Sequence, residues 1–154
     1  MPHQGMVHAL EEIRRLLSPS GVLIDIHPVQ EAPLIEVISA GHVFYSEAEP
    51  DTSLEDYRQA EGALADVVQR HLYVLESTSE FDLLVHSTSV PELANHVQEA
   101  NAYEQRCKSQ AEQVRERELI KRIEKAMREA GAGAEVAIRE RARISRLSVL
   151  FPAA

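Results

Sequence analysis

Asp25 and His27 are the two residues of this sequence best placed for chemistry. In "VLIDIHP", residues 22–28, they stand two apart, and in a strand that spacing puts both side chains on one face. They fall at the C-terminal end of the strand, where open α/β sheets bind ligands. A carboxylate beside an imidazole orients the ring and helps it move a proton near neutral pH. His86, in "LLVHS", is a further imidazole that could join them. The plainer expectation is that His27 closes the strand before Pro28 while Asp25 bonds nearby backbone amides, since spacing fixes no third group. Asp25, His27 and His86 do not follow the ligand spacing of a metal site, so no metal is expected.

Arg139, Arg141 and Arg143 alternate in "IRERARI" and so share one strand face. The expectation is cross-strand pairing with Glu76, Glu80 and Asp82 on the preceding strand. A nucleic-acid surface would need a wider basic patch and stacking aromatics. The chain instead has a formal net charge of −9, 5% aromatic residues and no Trp, so no nucleic-acid partner is expected. The one G-x-G, Gly131-Ala132-Gly133, follows a helix and precedes a strand, the reverse of a phosphate-binding loop, and reads as a helix stop. There is no P-loop, H-E-x-x-H or paired C-x-x-C.

These residues must be held by ordinary elements. The 154 residues fit one domain, 1–154, large enough to bury a core. Cys107 is the only cysteine, which excludes an intrachain disulfide and makes a reducing, cytoplasmic setting the expectation. No run approaches the roughly 20 apolar residues of a membrane helix, so no membrane partner is expected. Met6, Leu10, Ile13 and Leu17 predict a helix over about 5–17, stopped by Ser18-Pro19-Ser20-Gly21. "VLIDI" predicts a strand covered on both faces. "LIEVISAGHVFYS" predicts a hairpin about Ala40-Gly41. A helix over 54–71 follows, capped by Asp51, Thr52 or Ser53, with Tyr57, Leu64, Val67, Val68 and Leu72 on its apolar side. Then come a strand over 73–87, a short helix from 90 to about 100, and a charged helix over about 103–130 with Val114, Ile120, Ile123 and Met127 inward. A long strand over 135–150 closes the chain.

The run Ala9-Leu10-x-x-Ile13-x-Arg15-Leu16-Leu17, then Ser-Pro-Ser-Gly, then Val22-Leu23-Ile24-Asp25, resembles a late segment of class I S-adenosylmethionine-dependent methyltransferases. In that family an R-x-L-K-P-G-G-x-L run joins a helix to the fifth strand of the sheet. "VLIDIHP", "EDYRQA", "EFDLL" and "ERARISRL" are similar to stretches of bacterial methyltransferase-domain proteins. Ser18 stands where Lys is usual, and Ser20 where the first Gly of the turn is usual. The resemblance covers the whole chain but only about the C-terminal half of the family's domain.

It implies an α/β fold: part of a Rossmann-like methyltransferase sheet with mixed strands, a hairpin insertion and flanking helices. The 73–87 and 135–150 strands would be antiparallel neighbours. The resemblance also puts Tyr57 and Arg58 on the methyl-acceptor side, beside Asp25, His27 and His86. The family binds S-adenosylmethionine through a strand, a Gly-rich loop and a helix, and these residues contain no such loop. No cofactor is therefore expected for this chain alone. The expectation is a truncated methyltransferase-like protein, not competent for methyl transfer in isolation. The alternatives are a self-associating non-catalytic module, or a small-molecule binding protein using the Asp25, His27 and Tyr57 region. The strand over 22–27 would lack a neighbour on one edge, which predicts a homodimer through that edge or a separate chain supplying the missing half.

Overall fold

The computed structural model describes residues 3–50, 54–100 and 109–150, with side chains of 96–100 excepted. The cap candidates Asp51, Thr52 and Ser53, the helical residues expected at 103–108, and Cys107 lie outside the described residues. The elements run α1 (His3–Leu16), β1 (Val22–Pro28), β2 (Leu34–Ser39), β3 (His42–Ala48), α2 (Leu54–Gln69), β4 (Tyr73–Ser87) and α3 (Val90–Ala100). They end with α4 (Gln110–Ala130) and β5 (Glu135–Val149). The class is mixed α/β. β1 with β5, β2 with β3 and β2 with β5 all pair antiparallel, so the expected mixture of strand directions is corrected to an open antiparallel sheet of five strands. The chain forms two compact units, and β4 and β5 contribute residues to both.

The first unit takes residues 1–31, 53–82 and 141–154. Its core joins Val7 of α1, Ala63 and Val67 of α2, Tyr73 of β4, and Leu147 and Val149 of β5. The Tyr73 hydroxyl donates to the Leu10 carbonyl at 2.8 Å, so this buried phenol keeps a partner. At the turn after α1, Gly21 N–H donates to the Ser18 carbonyl at 2.7 Å. A Cβ at Gly21 would lie 2.8 Å from that oxygen and 2.9 Å from Leu17 Cβ, so only glycine fits there. α2 closes with His71 at φ 56, Leu72 N–H donating to Val67 and His71 N–H to Val68. That is the paired closure that glycine usually makes at a helix C-terminus.

β1 pairs with β5 from Val22↔Ser148 to Pro28↔Ala142. Its face carrying Leu23, Asp25 and His27 is the more buried one, with Leu23 packed on the core shared by α1 and α2. The other face is not covered as expected: Ile24 is 52% and Ile26 59% exposed. A continuous apolar run encodes affinity for cover, and here one face has none among the described residues.

The second unit takes residues 32–52 and 83–140. β2 pairs with β3 and, from Leu34↔Arg139 to Ile38↔Glu135, with β5. Ala40 (φ 50) and Gly41 (φ 78) are both left-handed, as a two-residue hairpin turn of the I′ type requires. α4 starts on a capping box: Glu112 N–H donates to Ser109 Oγ at 3.3 Å and Ser109 N–H to Glu112 Oε2 at 2.6 Å. Its buried residues are Leu119, Ile123 and Ala126, packed with Ile35, Val37 and Val136, while Ile120 and Met127 flank them. Val114, expected inward, is 50% exposed.

Candidate functional site

The first unit gathers its polar side chains on one wall. β1 turns Asp25 and His27 to one face, and the β1–β5 register sets Ser145 opposite Asp25 and Arg143 opposite His27. α2 presents Glu61, Leu64, Ala65, Val68 and Gln69, whose spacing keeps them on one helical face. β4 adds Thr78 and Glu80. Together these surround an open cavity of about 840 Å³ with His27 in its wall.

Asp25 Oδ2 lies 2.5 Å from His27 Nδ1, and the His27 side chain is 10% exposed. A carboxylate oxygen accepts, so the tautomer that satisfies this contact carries its proton on Nδ1 and leaves Nε2 as an acceptor. Nε2 is buried and has no hydrogen-bond partner within the protein. The cations around the cavity are occupied. Arg143 donates to Glu61 and, at 2.9 Å, to Glu80 Oε1. Arg141 donates to Glu80 Oε2 at 3.0 Å, and Gln30 to Glu61 Oε2 at 2.6 Å. The Arg143 hydrogen bond is the main reason that the Glu61 and Glu80 carboxyls sit below the usual carboxylate range. The two carboxylates in turn push the guanidinium of Arg143 up. Ser145 Oγ and Thr78 Oγ1 are 3.3 Å apart and share a hydrogen bond.

Of the residues singled out in the sequence, Asp25 and His27 are brought together, and His27 bonds Asp25 rather than merely ending its strand. Tyr57 is half-buried on α2 but is not part of the cavity wall. Arg58 is exposed and pairs with Glu55 one helical turn back. His86 belongs to the second unit, where its Nδ1 lies 3.4 Å from Glu135 Oε2. Among the described residues no three His, Cys, Asp or Glu side chains converge for a metal ion.

The arginine ladder is partly corrected. Arg141 and Arg143 reach Glu80 as expected, Glu76 takes Arg146, and Arg139 closes on Glu36 of β2 at 3.0 Å. Glu61 went unrecognised because helical spacing alone does not say which strand a helix residue will face. Ser145 was hidden for the same reason, since only the β1–β5 register sets it beside Asp25.

The described residues do not fit S-adenosylmethionine as the resembled family holds it. Gly21, Gly131 and Gly133 occupy helix-to-strand turns, Gly41 a hairpin, and Gly5 and Gly62 helices. None opens a strand-to-helix loop where backbone amides could approach a nucleotide. Among the described residues no helix is long and apolar enough to cross a membrane. No protein-family model, curated protein or solved structure matches this chain.

Proposed function

We propose that these residues are the acceptor-side half of a protein like the class I S-adenosylmethionine-dependent methyltransferases, and that the isolated chain transfers no methyl group. The observation that carries this reading is the pairing of β5 with both β1 and β4, following a helix, a Ser-Pro-Ser-Gly turn and β1. The resemblance gives the last strand the same antiparallel place beside the 73–87 strand. The bare Ile24 and Ile26 face of β1 supports it too, as apolar surface suited to cover from a further layer. In this reading the cavity beside Asp25 and His27 is the acceptor side, and His27 Nε2 is the group that receives the acceptor's proton.

Calorimetry tests it. The 154-residue chain gives no S-adenosylmethionine binding, while a polypeptide extended by the residues encoded upstream of Met1, or mixed with the product of an adjacent reading frame, binds one per chain. Micromolar, stoichiometric binding by the 154 residues contradicts the reading. So does upstream coding sequence that holds no strand, Gly-rich loop and helix.

The free edge of β1, which pairs with β5 alone among the described residues, takes a second copy of the isolated chain. A separate chain that supplies the cofactor half is the competing partner for the same edge. Light scattering at micromolar concentration gives the dimer mass if this is right. A monomer with slow amide exchange at Leu23–Ile26 contradicts it. The second reading, a small-molecule binding protein without methyl transfer, is favoured by the Asp25–His27 contact, although Tyr57 lies off the cavity wall.

A further inference from the structure

We propose that the cavity beside His27 binds a neutral molecule with an apolar body and one hydroxyl or N–H donor, and that His27 Nε2 accepts that hydrogen. The inference rests on the small-molecule-binding reading of this cavity and names its ligand class; it does not depend on methyl transfer, so the absence of S-adenosylmethionine binding leaves it untouched.

Size allows it: about 840 Å³ lies within the usual range for small-molecule sites of roughly 300–1,000 Å³. The body of the ligand would meet Leu64, Val68, Leu75 and Leu147, which give the wall its apolar part. Charge excludes an anion. Arg143 is the cation of the wall, and both its ends are taken by Glu61 and Glu80. A carboxylate or phosphate entering here would face two ionised carboxyls without a free counter-charge. A cation finds little more, since each oxygen of Glu61 and Glu80 already accepts a hydrogen bond from Arg143, Gln30 or Arg141.

One polar atom is left over. Two buried side-chain atoms among the described residues lack a partner, His27 Nε2 and Gln59 Oε1, and of these two residues only His27 lines the cavity. Asp25 holds the Nδ1 proton in place, so the ring keeps its acceptor on the Nε2 side. A buried acceptor left unmade is costly, and a ligand donor that reaches it is favoured over an equally apolar molecule without one.

The test uses the 154-residue chain at about pH 8. Three probes share one apolar body: 2-naphthol, which carries a donor, 2-methoxynaphthalene, which does not, and 2-naphthoate, an anion. Calorimetry finds one 2-naphthol per chain, bound at least about tenfold more tightly than either of the others, as one satisfied buried hydrogen bond predicts. His27→Phe removes that preference and leaves the weaker apolar binding. In the wild-type chain, titration with 2-naphthol moves the Nε2 nitrogen resonance of His27, a readout that does not depend on a variant folding. The proposal is overturned if none of the probes binds at millimolar concentration or if 2-naphthoate binds as well as 2-naphthol. It is equally overturned if the preference survives His27→Phe, or if Nε2 stays unmoved while 2-naphthol binds.

Discussion

In the unit formed by residues 32–52 and 83–140, the charged groups close on one another. Arg122 donates to both oxygens of Glu47 at 2.9 and 2.6 Å, and the Tyr45 hydroxyl donates to the same carboxylate. Arg139 closes on Glu36, which is only 5% exposed. In the unit formed by residues 1–31, 53–82 and 141–154, Arg143 builds a similar network with Glu61 and Glu80, yet His27 Nε2 is left over at a cavity wall. The contrast separates two uses of polar side chains. A closed network steadies a fold, and a network that leaves one buried acceptor unpaired in a cavity wall has capacity to recognise something.

The largest expected effect tests the closed side of that contrast. Arg139→Ala removes a fork of hydrogen bonds from a buried carboxylate, and should cost about 2–4 kcal/mol in urea denaturation. A loss under about 0.5 kcal/mol, the range of ordinary surface substitutions, would show that Glu36 is not truly desolvated. Arg143→Ala should cost less, about 1 kcal/mol, because its carboxylate partners are about one-third exposed.

Acid titration sharpens the comparison. Glu47 is held low chiefly by Arg122, and Glu61 and Glu80 chiefly by Arg143. A depressed carboxyl contributes stability that is complete above its unfolded value, about 4.3, and is lost as pH falls through its lower folded value. The gap between wild type and either Arg122→Ala or Arg143→Ala should therefore be full at pH 6 and shrink below about pH 4. A gap that persists unchanged at acid pH would mean the arginines act by packing their stems and not by charge. The smallest change concerns the hairpin. Ala40→Gly should raise stability by roughly 0.5–1 kcal/mol, since Ala40 holds a left-handed φ that glycine adopts without penalty. A decrease would place the turn's strain elsewhere.

Much of the frame was legible in the sequence. The helix of residues 3–16 showed in the spacing of Met6 and Leu10, and the Ser18–Gly21 turn in its Pro and Gly. The hairpin showed in Ala40-Gly41 between two apolar runs. Three things were not legible, each for a physical reason. The exposure of Ile24 and Ile26 depends on what covers a face, and a strand's own residues do not record that. Arg139 paired with Glu36 because β2 lies against residues 135–139 of β5, a register that alternation within one strand cannot reveal. At the site, Asp25 and His27 stood out by spacing, whereas Glu61 joined them only because α2 packs over that part of the β1–β5 pair. The start of α4 could have been seen: Ser109-x-x-Glu112 is a capping box in plain sequence.

The unpaired acceptor on His27 is best tested by the nitrogen-15 spectrum of its imidazole in the ligand-free chain at about pH 8. Asp25 should hold the proton on Nδ1, so that Nδ1 resonates as a protonated nitrogen and Nε2 as an unprotonated one. Asp25→Ala should let the two forms mix. A wild-type ring protonated at Nε2, or a spectrum indifferent to Asp25→Ala, would contradict the assignment of His27 as an oriented acceptor.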